Sequence, residues 1–248
     1  MLKQTDYQSA IVTGASKGIG RAVTQALRDL SLNVHAIARS TADLQSLADE
    51  CGCTPHSLDI NDSERLQAVI EAASPDILVA NAGILPSVAP YQDMPWCEIE
   101  QMIEINLTAT LRTISLVLPG MIERNRGHIL IIGSSAALCP HPGVAAYGAT
   151  KAALHNFCRS LRCDLLGTNI RISEIVPGRV ETHLYHQFLG EAGARDKLYA
   201  GIQALQPADI ASAVVSIIQT PPHVDVTHYE VMPLMQVMGG SRVHHEQA

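Results

Sequence analysis

Short apolar runs alternate with longer amphipathic segments along most of the chain. β-Branched and aliphatic residues predict strands at residues 10–13, 34–38, 77–80, 129–132, 170–176 and 227–232. Between them, apolar residues recur at helical spacing in residues 20–30, 42–50, 63–73, 98–121, 146–166 and 207–219. Alternation of strand and helix indicates right-handed βαβ units. We therefore predict an α/β fold in which helices cover both faces of a doubly wound parallel sheet.

Composition agrees with this pattern and excludes several classes of protein. The 248 residues are 47% hydrophobic, 17% charged and 4% aromatic, which argues against a disordered chain. A formal net charge of −7 disfavours a nucleic-acid partner. The longest stretch without a formal charge, residues 127–150, contains too many glycines and prolines for a membrane helix. No repeat or linker interrupts the pattern, so we expect a single domain over residues 1–248.

Cysteine and histidine usage says little about chemistry. Six cysteines without a secretory signal favour a reduced, cytoplasmic protein without a disulfide framework. Three local groups lack the spacing of a four-ligand zinc site. They are Cys51-x-Cys53, His155-x-x-Cys158 and His244-His245. We therefore predict no required metal.

The first predicted strand runs into a glycine-rich turn that opens a helix. Glycine permits positive φ angles and close approach of the backbone, and a helix N-terminus favours a phosphate group. In this position the turn favours a bound dinucleotide over a tight turn without a ligand, and predicts a Rossmann-like domain. The candidate cofactor-binding residues here are Gly14, Ser16, Lys17, Gly18, Ile19 and Gly20.

The end of the second strand indicates which dinucleotide is bound. NAD enzymes usually place a carboxylate there for the ribose 2′-hydroxyl, but this chain has Arg39. Arg39 could hold a 2′-phosphate bidentately and Lys17 could add a second positive charge, so we predict NADP(H). The alternative is that both are ordinary solvated cations.

Two further strand ends are directed at the same cleft. Asp59 could accept a hydrogen bond from the adenine amino group, and the turn at Asn81, Ala82 and Gly83 could pass close to the adenosine ribose. A helix N-cap and a plain loop turn are the alternatives.

The types and spacing of three residues are suited to acid–base chemistry on a carbonyl or hydroxyl group; these residues are Ser134, Tyr147 and Lys151. Tyr147 and Lys151 are one helical turn apart and share a face, and Ser134 ends a strand thirteen positions before Tyr147. A tyrosine can give a proton to a developing alkoxide, and a neighbouring ammonium stabilises its phenolate. Ser134 would hold the substrate oxygen. The alternative for Tyr147 and Lys151 is the start of an ordinary amphipathic helix.

Together these motifs resemble the short-chain dehydrogenase/reductase family over nearly the whole chain. The resemblance implies that Asn106 is a link in a proton relay and that Lys151 also binds the nicotinamide ribose. It further implies that Thr182 and the Val180 backbone contact the carboxamide, within the segment that starts at Pro177 and Gly178. It also implies a homotetramer.

The sequence departs from the usual family pattern in two places. Ala80 stands where a first asparagine is common before Asn81, and the segment between Ser135 and Tyr147 is one residue shorter than in many relatives. Ser134 keeps the usual offset from Tyr147, and Ser135 is the alternative.

Residues 179–201 follow a strand end and mix aromatic, cationic and glycine residues, so we predict a substrate lid there. Cationic side chains that could meet a carboxylate are Arg179, His183, His186 and Arg195. A solvated surface helix is the alternative.

Local segments resemble the NADP-dependent serine/3-hydroxy acid dehydrogenase subgroup, in residues 117–128, 147–152, 165–168 and 229–233. This resemblance implies a small 3-hydroxy acid or semialdehyde as substrate. A reductase of 3-oxoacyl thioesters or other ketones, and a non-catalytic NADP-sensing regulator, are the alternatives.

Overall fold

A computed structural model describes residues 7–184 and 202–236. Its strands form one parallel sheet in the order β3-β2-β1-β4-β5-β6-β7. The strands are β1 Ser9–Thr13, β2 Asn33–Ala38, β3 Thr54–Ser57, β4 Ile77–Ala80, β5 Gly127–Ile132, β6 Ile170–Pro177 and β7 His228–Val231. The predicted doubly wound parallel sheet is confirmed.

Strand β3 is absent from the strands predicted by apolar runs. Its four residues, Thr-Pro-His-Ser, include no large apolar side chain; two are exposed and two are half-buried, because β3 is an edge strand that pairs with β2 alone. Pro55 lacks a backbone N–H, which an edge strand tolerates and a central strand does not. The apolar pattern that identifies buried strands is therefore missing here.

The helices cover both faces of the sheet, as predicted. They are α1 Gly18–Asp29, α2 Thr41–Cys51, α3 Ser63–Ala73, α4 Trp96–Met102, α5 Ala109–Glu123, α6 Ala145–Asp164 and α7 Pro207–Ile218. Alternate side chains of β1 enter the two layers. Ala10 and Val12 pack into the core formed with α1, α2 and α7, whereas Ile11 packs into the core formed with α3, α5 and α6.

The predicted helix over residues 98–121 is not one regular α-helix. Helices α4 and α5 are joined by a π-helical segment, Ile103–Thr108, that contains the buried Asn106. The apolar period of the sequence continues through this segment, which is why it predicts an uninterrupted helix. A π segment adds residues to a turn without changing the apolar character of the helix.

The stretch Trp96–Glu123 is long and apolar enough, by length and composition, to cross a membrane. Core helices of water-soluble proteins pass the same test. Here Ile99, Met102, Ile114, Val117 and Met121 are buried against the rest of the chain. The length and apolar composition of this stretch are therefore not evidence that it spans a membrane.

Strand β1 is the point at which the strand order reverses. It pairs with β2 on one side and with β4 on the other, so the loops after β1 and β4 leave in opposite directions. In open α/β sheets a crevice forms at such a point, beyond the carboxyl ends of the strands.

A buried histidine lies near the opposite end of the sheet. His128 on β5 is fully buried, and its Nε2 is 2.8 Å from the Ser173 hydroxyl on β6. Burial, with a smaller effect of the nearby Arg171 guanidinium, lowers the pKa of His128 well below 6.5. The folded protein therefore keeps His128 neutral at pH values at which the unfolded chain protonates it.

This difference predicts that His128 contributes to acid sensitivity. As the pH falls below about 6.5, the unfolded chain takes up a proton that the folded protein does not, so the free energy of unfolding falls. His128→Gln should flatten this fall between pH 6.5 and 5, by up to about 1.4 kcal/mol per pH unit. Urea unfolding measured at several pH values provides the comparison.

His223→Gln is the matched control, because His223 is exposed in the folded protein. It should keep the pH dependence of the original protein. An equal slope in the original protein and in His128→Gln would contradict the assignment.

Candidate active site

A cleft of about 400 Å³ lies beyond the carboxyl ends of the sheet. It brings together nearly every residue that the sequence predicts to bind the cofactor or the substrate. Those lining it are Gly14, Ser16, Lys17, Gly18, Ile19, Arg39, Asp59, Asn81, Ala82, Gly83, Ser134, Tyr147, Lys151, Pro177, Gly178, Val180 and Thr182. Gly20 and Asn106, also predicted, do not line it.

The glycine turn requires the absence of side chains at particular positions. Gly14 and Gly18 have positive φ angles of 66° and 53°. A Cβ on Gly20 would lie 2.2 Å from the Gly14 carbonyl oxygen, which no real side chain allows. Gly20 therefore contributes by letting helix α1 approach the turn rather than by lining the cleft.

The ends of β1 and β4 are bound together by Thr13 and Asn81. The Thr13 hydroxyl oxygen accepts hydrogen bonds from the backbone amides of Asn81 and Ala82, both at 3.1 Å. The Asn81 side-chain amide donates to the carbonyl oxygens of Thr13 at 3.0 Å and Gly14 at 3.2 Å. These bonds hold the two loops of the switch point in register.

The N-terminus of α1 is suited to an anion. Its N-cap, Lys17, has extended backbone angles and makes no side-chain capping hydrogen bond, and the first turn contains no acidic residue. The amides of this turn are thus available to an oxygen ligand, and the helix dipole favours a negative one. The cradle fits a pyrophosphate.

Three charged side chains surround the end of β2. Arg39 is exposed, and its guanidinium has no hydrogen bond or ion pair with the described residues; its backbone carbonyl oxygen accepts a hydrogen bond from the Ser57 hydroxyl. Lys17 instead pairs with the Asp43 carboxylate, at 3.2 Å. The Ser40 side chain and then Lys17 lower the pKa of Asp43. Arg39 is therefore the cation that remains open to a ligand at this end of the cleft.

Asp43 is a lining residue that sequence reasoning missed. It belongs to the first turn of α2, four positions after Arg39, and not to the strand end where an acidic residue is expected. Apolar walls formed by Ile37, Leu58 and Ile60 were also missed. Their residue types are those of any core, so the sequence contains no signal that they face the cleft.

Asp59 lines the cleft beyond β3, and one of its carboxylate oxygens is hydrogen-bonded within the chain. One oxygen accepts a hydrogen bond from the Asn61 backbone amide at 2.9 Å. The helix N-cap for α3 is the neighbouring Asp62, whose side chain accepts from the Arg65 amide. The capping alternative considered for Asp59 is therefore wrong.

Tyr147 and Lys151 lie on the first two turns of α6, on the face towards the sheet. Tyr147 is 9% exposed and packs with an apolar cluster that includes Leu85, Ile99 and Met102. The Lys151 ammonium lies 5.9 Å from the centre of the Tyr147 ring. The spacing of four residues thus places phenol and ammonium side by side.

Lys151 is held by the sheet rather than by solvent. Its Nζ donates to the Ile132 carbonyl oxygen at the end of β5, at 2.7 Å, and its side chain is 5% exposed. Burial lowers the pKa of Lys151 to about 8, against the opposing effect of the Glu174 carboxylate. A buried ammonium of this kind stabilises an anion formed beside it.

The structure distinguishes the two candidate serines. Ser134 has extended backbone angles directly after β5 and lines the cleft, and its hydroxyl accepts from the Ala136 amide at 3.1 Å. Ser135 is buried and does not line the cleft. The geometry favours Ser134 as the serine that meets a ligand.

Asn106 is fully buried and faces the loop after β4. Its side-chain oxygen accepts from the Ile84 amide at 2.7 Å, and its side-chain amide donates to the Ile84 carbonyl oxygen at 2.9 Å. Asn106 thus braces the backbone of Ile84, which lines the cleft. The sequence alone does not indicate these hydrogen bonds between Asn106 and Ile84.

The segment after β6 closes the far side of the cleft. The Thr182 side chain lies so close to Gly18 that a Cβ there would be 3.4 Å from its methyl carbon. The Gln236 side-chain oxygen accepts from the Arg179 amide at 2.8 Å, and Gln236 is 6% exposed. Gln236, near the end of the described chain, is a supporting residue that sequence reasoning missed.

Most of the predicted lid lies outside the described residues. Of the four side chains proposed to meet a carboxylate, His183 lines the cleft and Arg179 does not. His186 and Arg195 fall within residues 185–201, which are not described.

Comparison with known proteins adds independent findings. A family model described as short chain dehydrogenase matches residues 8–191. An uncharacterized short-chain type dehydrogenase/reductase from Sinorhizobium fredii is 44% identical over 237 residues, covering 96% of each chain. The NADP-dependent 3-hydroxy acid dehydrogenase of Escherichia coli K12 is 36% identical, covering 95% of this chain and 99% of that protein.

Solved structures agree with the sequence relatives. The closed form of a serine dehydrogenase complexed with NADP⁺ superposes with a TM-score of 0.90 and is 35% identical, covering 96% of this chain and all of the other. A Brucella melitensis 3-oxoacyl-[acyl-carrier protein] reductase superposes with a TM-score of 0.82 at 29% identity, covering 96% of this chain and 91% of that one. With the family match spanning most of its length, the chain belongs to the short-chain dehydrogenase/reductase family.

Proposed function

We propose that this protein is an NADP(H)-dependent oxidoreductase that interconverts a hydroxyl and a carbonyl group on a small 3-hydroxy acid or the matching semialdehyde. One observation carries the proposal: Ser134, Tyr147 and Lys151 line the same cleft as the glycine turn after β1. A regulator that only senses the dinucleotide has no use for a buried Tyr-Lys pair beside Ser134.

The residues of the cleft fit NADP(H). The glycine turn and the uncapped start of α1 suit the pyrophosphate, and the apolar walls suit the adenine ring. Arg39 suits a 2′-phosphate because a guanidinium binds phosphate oxygens in pairs. We assign Asp59 to the adenine amino group and Asn81, Ala82 and Gly83 to the adenosine ribose. Thr182 and the Val180 backbone are assigned to the carboxamide.

NADP(H), when bound, supplies or accepts the hydride. The chain provides the proton and holds the substrate. Tyr147 donates its phenolic proton to the alkoxide formed on reduction, or removes the proton of the alcohol on oxidation. Lys151, buried beside it, stabilises the phenolate because no water screens its charge. Lys151 is also assigned to the nicotinamide ribose.

Ser134 and Asn106 complete the assignment. Ser134 lines the cleft together with Tyr147, so its hydroxyl can donate a hydrogen bond to the substrate oxygen and keep that oxygen near Tyr147. We assign Asn106 as a link in the proton relay. Its hydrogen bonds to Ile84 also keep the loop after β4 in place.

The substrate class rests on the relatives together with the cleft. Two of them are named for 3-hydroxy acid and serine dehydrogenation. Of the four side chains suggested for a substrate carboxylate, His183 lines the described cleft, and its imidazole can donate a hydrogen bond to a carboxylate.

We further propose that the enzyme is a cytoplasmic homotetramer. The free cysteines of the described chain agree with a reducing compartment. Ile103 and Ile122 on the continuous helical stretch are 41% and 47% exposed, so apolar surface is available for a subunit contact. Sedimentation equilibrium of the purified protein measures the subunit number.

A panel of alcohols tests the substrate class. We expect nicotinamide absorbance at 340 nm to rise with NADP⁺ and serine, allo-threonine or 3-hydroxyisobutyrate, and to rise much less with NAD⁺. Turnover of neutral alcohols or 3-hydroxyacyl thioesters alone would keep the chemistry and refute the acid substrate. Cofactor binding without turnover of any compound would favour the regulator.

Tyr147→Phe tests the acid–base role. The phenyl ring keeps the packing against Leu85 and Met102 but has no proton to transfer, so kcat should fall by at least about a hundredfold. Binding of NADPH, followed by its fluorescence, should be unchanged. Tyr91→Phe, at a position that is 56% exposed, is the control and should keep full activity. Retention of kcat in Tyr147→Phe would refute the mechanism.

Arg39→Ala tests the choice of cofactor. Loss of the guanidinium should raise the KM for NADP⁺ by about tenfold or more and leave the KM for NAD⁺ nearly constant, since charge-assisted bonds to phosphate are lost. Asp43→Asn is the matched variant, because it removes a negative charge from the same end of the cleft. It should leave the KM for NADP⁺ constant or lower it. Equal effects of Arg39→Ala on both cofactors would contradict a 2′-phosphate contact.

A further inference from the structure

Outside the cleft, three side chains from distant parts of the chain meet at one point. His155 lies on α6, Glu174 on β6 and His228 on β7. Their ligand atoms all lie within 4.8 Å of one another. Glu174 Oε2 is 2.6 Å from His155 Nδ1 and 3.4 Å from His228 Nδ1. We refer to these three residues as the His-Glu-His cluster.

Glu174 is the unusual member of the His-Glu-His cluster. Its side chain is 2% exposed, on a strand inside the sheet. Its second carboxylate oxygen, Oε1, is buried and has no hydrogen-bond partner among the described residues. A buried carboxylate with an unsatisfied oxygen is costly and calls for a physical explanation.

The two histidines of the cluster, unlike Glu174, are partly exposed to solvent. The side chains of His155 and His228 are 23% and 37% exposed, and their rings meet edge to face with centroids 5.6 Å apart. An ion can therefore reach the His-Glu-His cluster from the surface and keep water as its remaining ligands. None of the three residues lines the cofactor cleft.

We propose that the His-Glu-His cluster binds a divalent transition-metal ion, with Zn²⁺ as the best fit. Two imidazole nitrogens and one carboxylate oxygen are ligands that Zn²⁺ accepts, with water completing a tetrahedron. The positive charge of the ion compensates the negative charge of the buried Glu174 carboxylate. It joins α6 to the two last strands of the sheet, so its role is to stabilise this edge of the fold.

The local spacing of the sequence does not reveal this site. His155 and Glu174 are 19 positions apart, and Glu174 and His228 are 54 positions apart. The prediction that the protein requires no metal rests on short ligand spacings. The proposed ion takes no part in hydride transfer, so it adds a structural site without making a metal necessary for the reaction.

Zinc binding to the chelator-treated protein tests the proposal. Calorimetric titration with ZnCl₂ should show one site per chain. The melting temperature should rise by about 5 °C at a Zn²⁺ concentration a hundredfold above the dissociation constant. Co²⁺ should give visible absorption bands of a four-coordinate ion with nitrogen and oxygen ligands.

Variants separate the His-Glu-His cluster from other zinc ligands. His228→Asn and His155→Asn should each weaken Zn²⁺ binding by at least about tenfold and remove the rise in melting temperature. His56→Asn is the matched control, because His56 forms another close histidine pair with His35, on β2 and β3. His244→Asn combined with His245→Asn controls for the C-terminal pair. Both controls should bind Zn²⁺ as the original protein does.

Absence of saturable Zn²⁺ binding up to about 1 mM would overturn the proposal. Unchanged Zn²⁺ affinity in both His155→Asn and His228→Asn would also overturn it. So would a loss of Zn²⁺ binding that occurs only in the C-terminal variant. Circular dichroism and turnover without added metal show whether each variant is folded. His228 is half-exposed on an edge strand, so His228→Asn keeps the test available if a variant at a more buried position fails to fold.

Discussion

The close approach of backbone at the switch point is the constraint on which the rest of the site depends. Helix α1 can pack against the short turn that follows β1 only because Gly20 has no Cβ to clash with the Gly14 carbonyl oxygen. The side chains of Thr13 and Asn81 then bind the loops after β1 and β4 to each other, each by a hydrogen bond with a backbone group of the other residue. Without this contact the crevice between the two loops would not have the width and the free amides that a pyrophosphate needs.

Burial of charge determines the chemistry at the other end of the cleft. Lys151 donates to the Ile132 carbonyl oxygen at the carboxyl end of β5, and the nearby Glu174 carboxylate opposes the lowering of the Lys151 pKa by burial. Water would screen the same charges at the surface and weaken their effect on Tyr147. The proximity of the buried Lys151 ammonium to the Tyr147 phenol therefore depends on the packing of α6 against the sheet as well as on the two residue types.

The sequence predicts the fold where its pattern follows from burial. Central strands such as β4 and β5 are continuous apolar runs, and their positions are recovered to within a few residues. The edge strand β3 is not among the strands predicted from apolar runs, because its residues include no large apolar side chain. The π segment around Asn106 is not predicted either, because the apolar residues continue through it. The same limit applies to Asp43, whose acidic side chain is unremarkable until the fold places it beside Lys17.

The glycine turn and the Tyr147–Lys151 pair could be predicted from the sequence because each depends on residues that are close together in the chain. The parallel sheet and the family could be predicted because strand–helix alternation and several local motifs recur in order along the chain. Three features can be seen only in the tertiary structure. Ser134 lines the cleft and Ser135 does not, Asn106 is hydrogen-bonded to the Ile84 backbone, and Lys17 is paired with Asp43. The tertiary structure also brings His155, Glu174 and His228 to one point. These features join segments far apart in sequence, and only the packing of helices on the sheet specifies their distances.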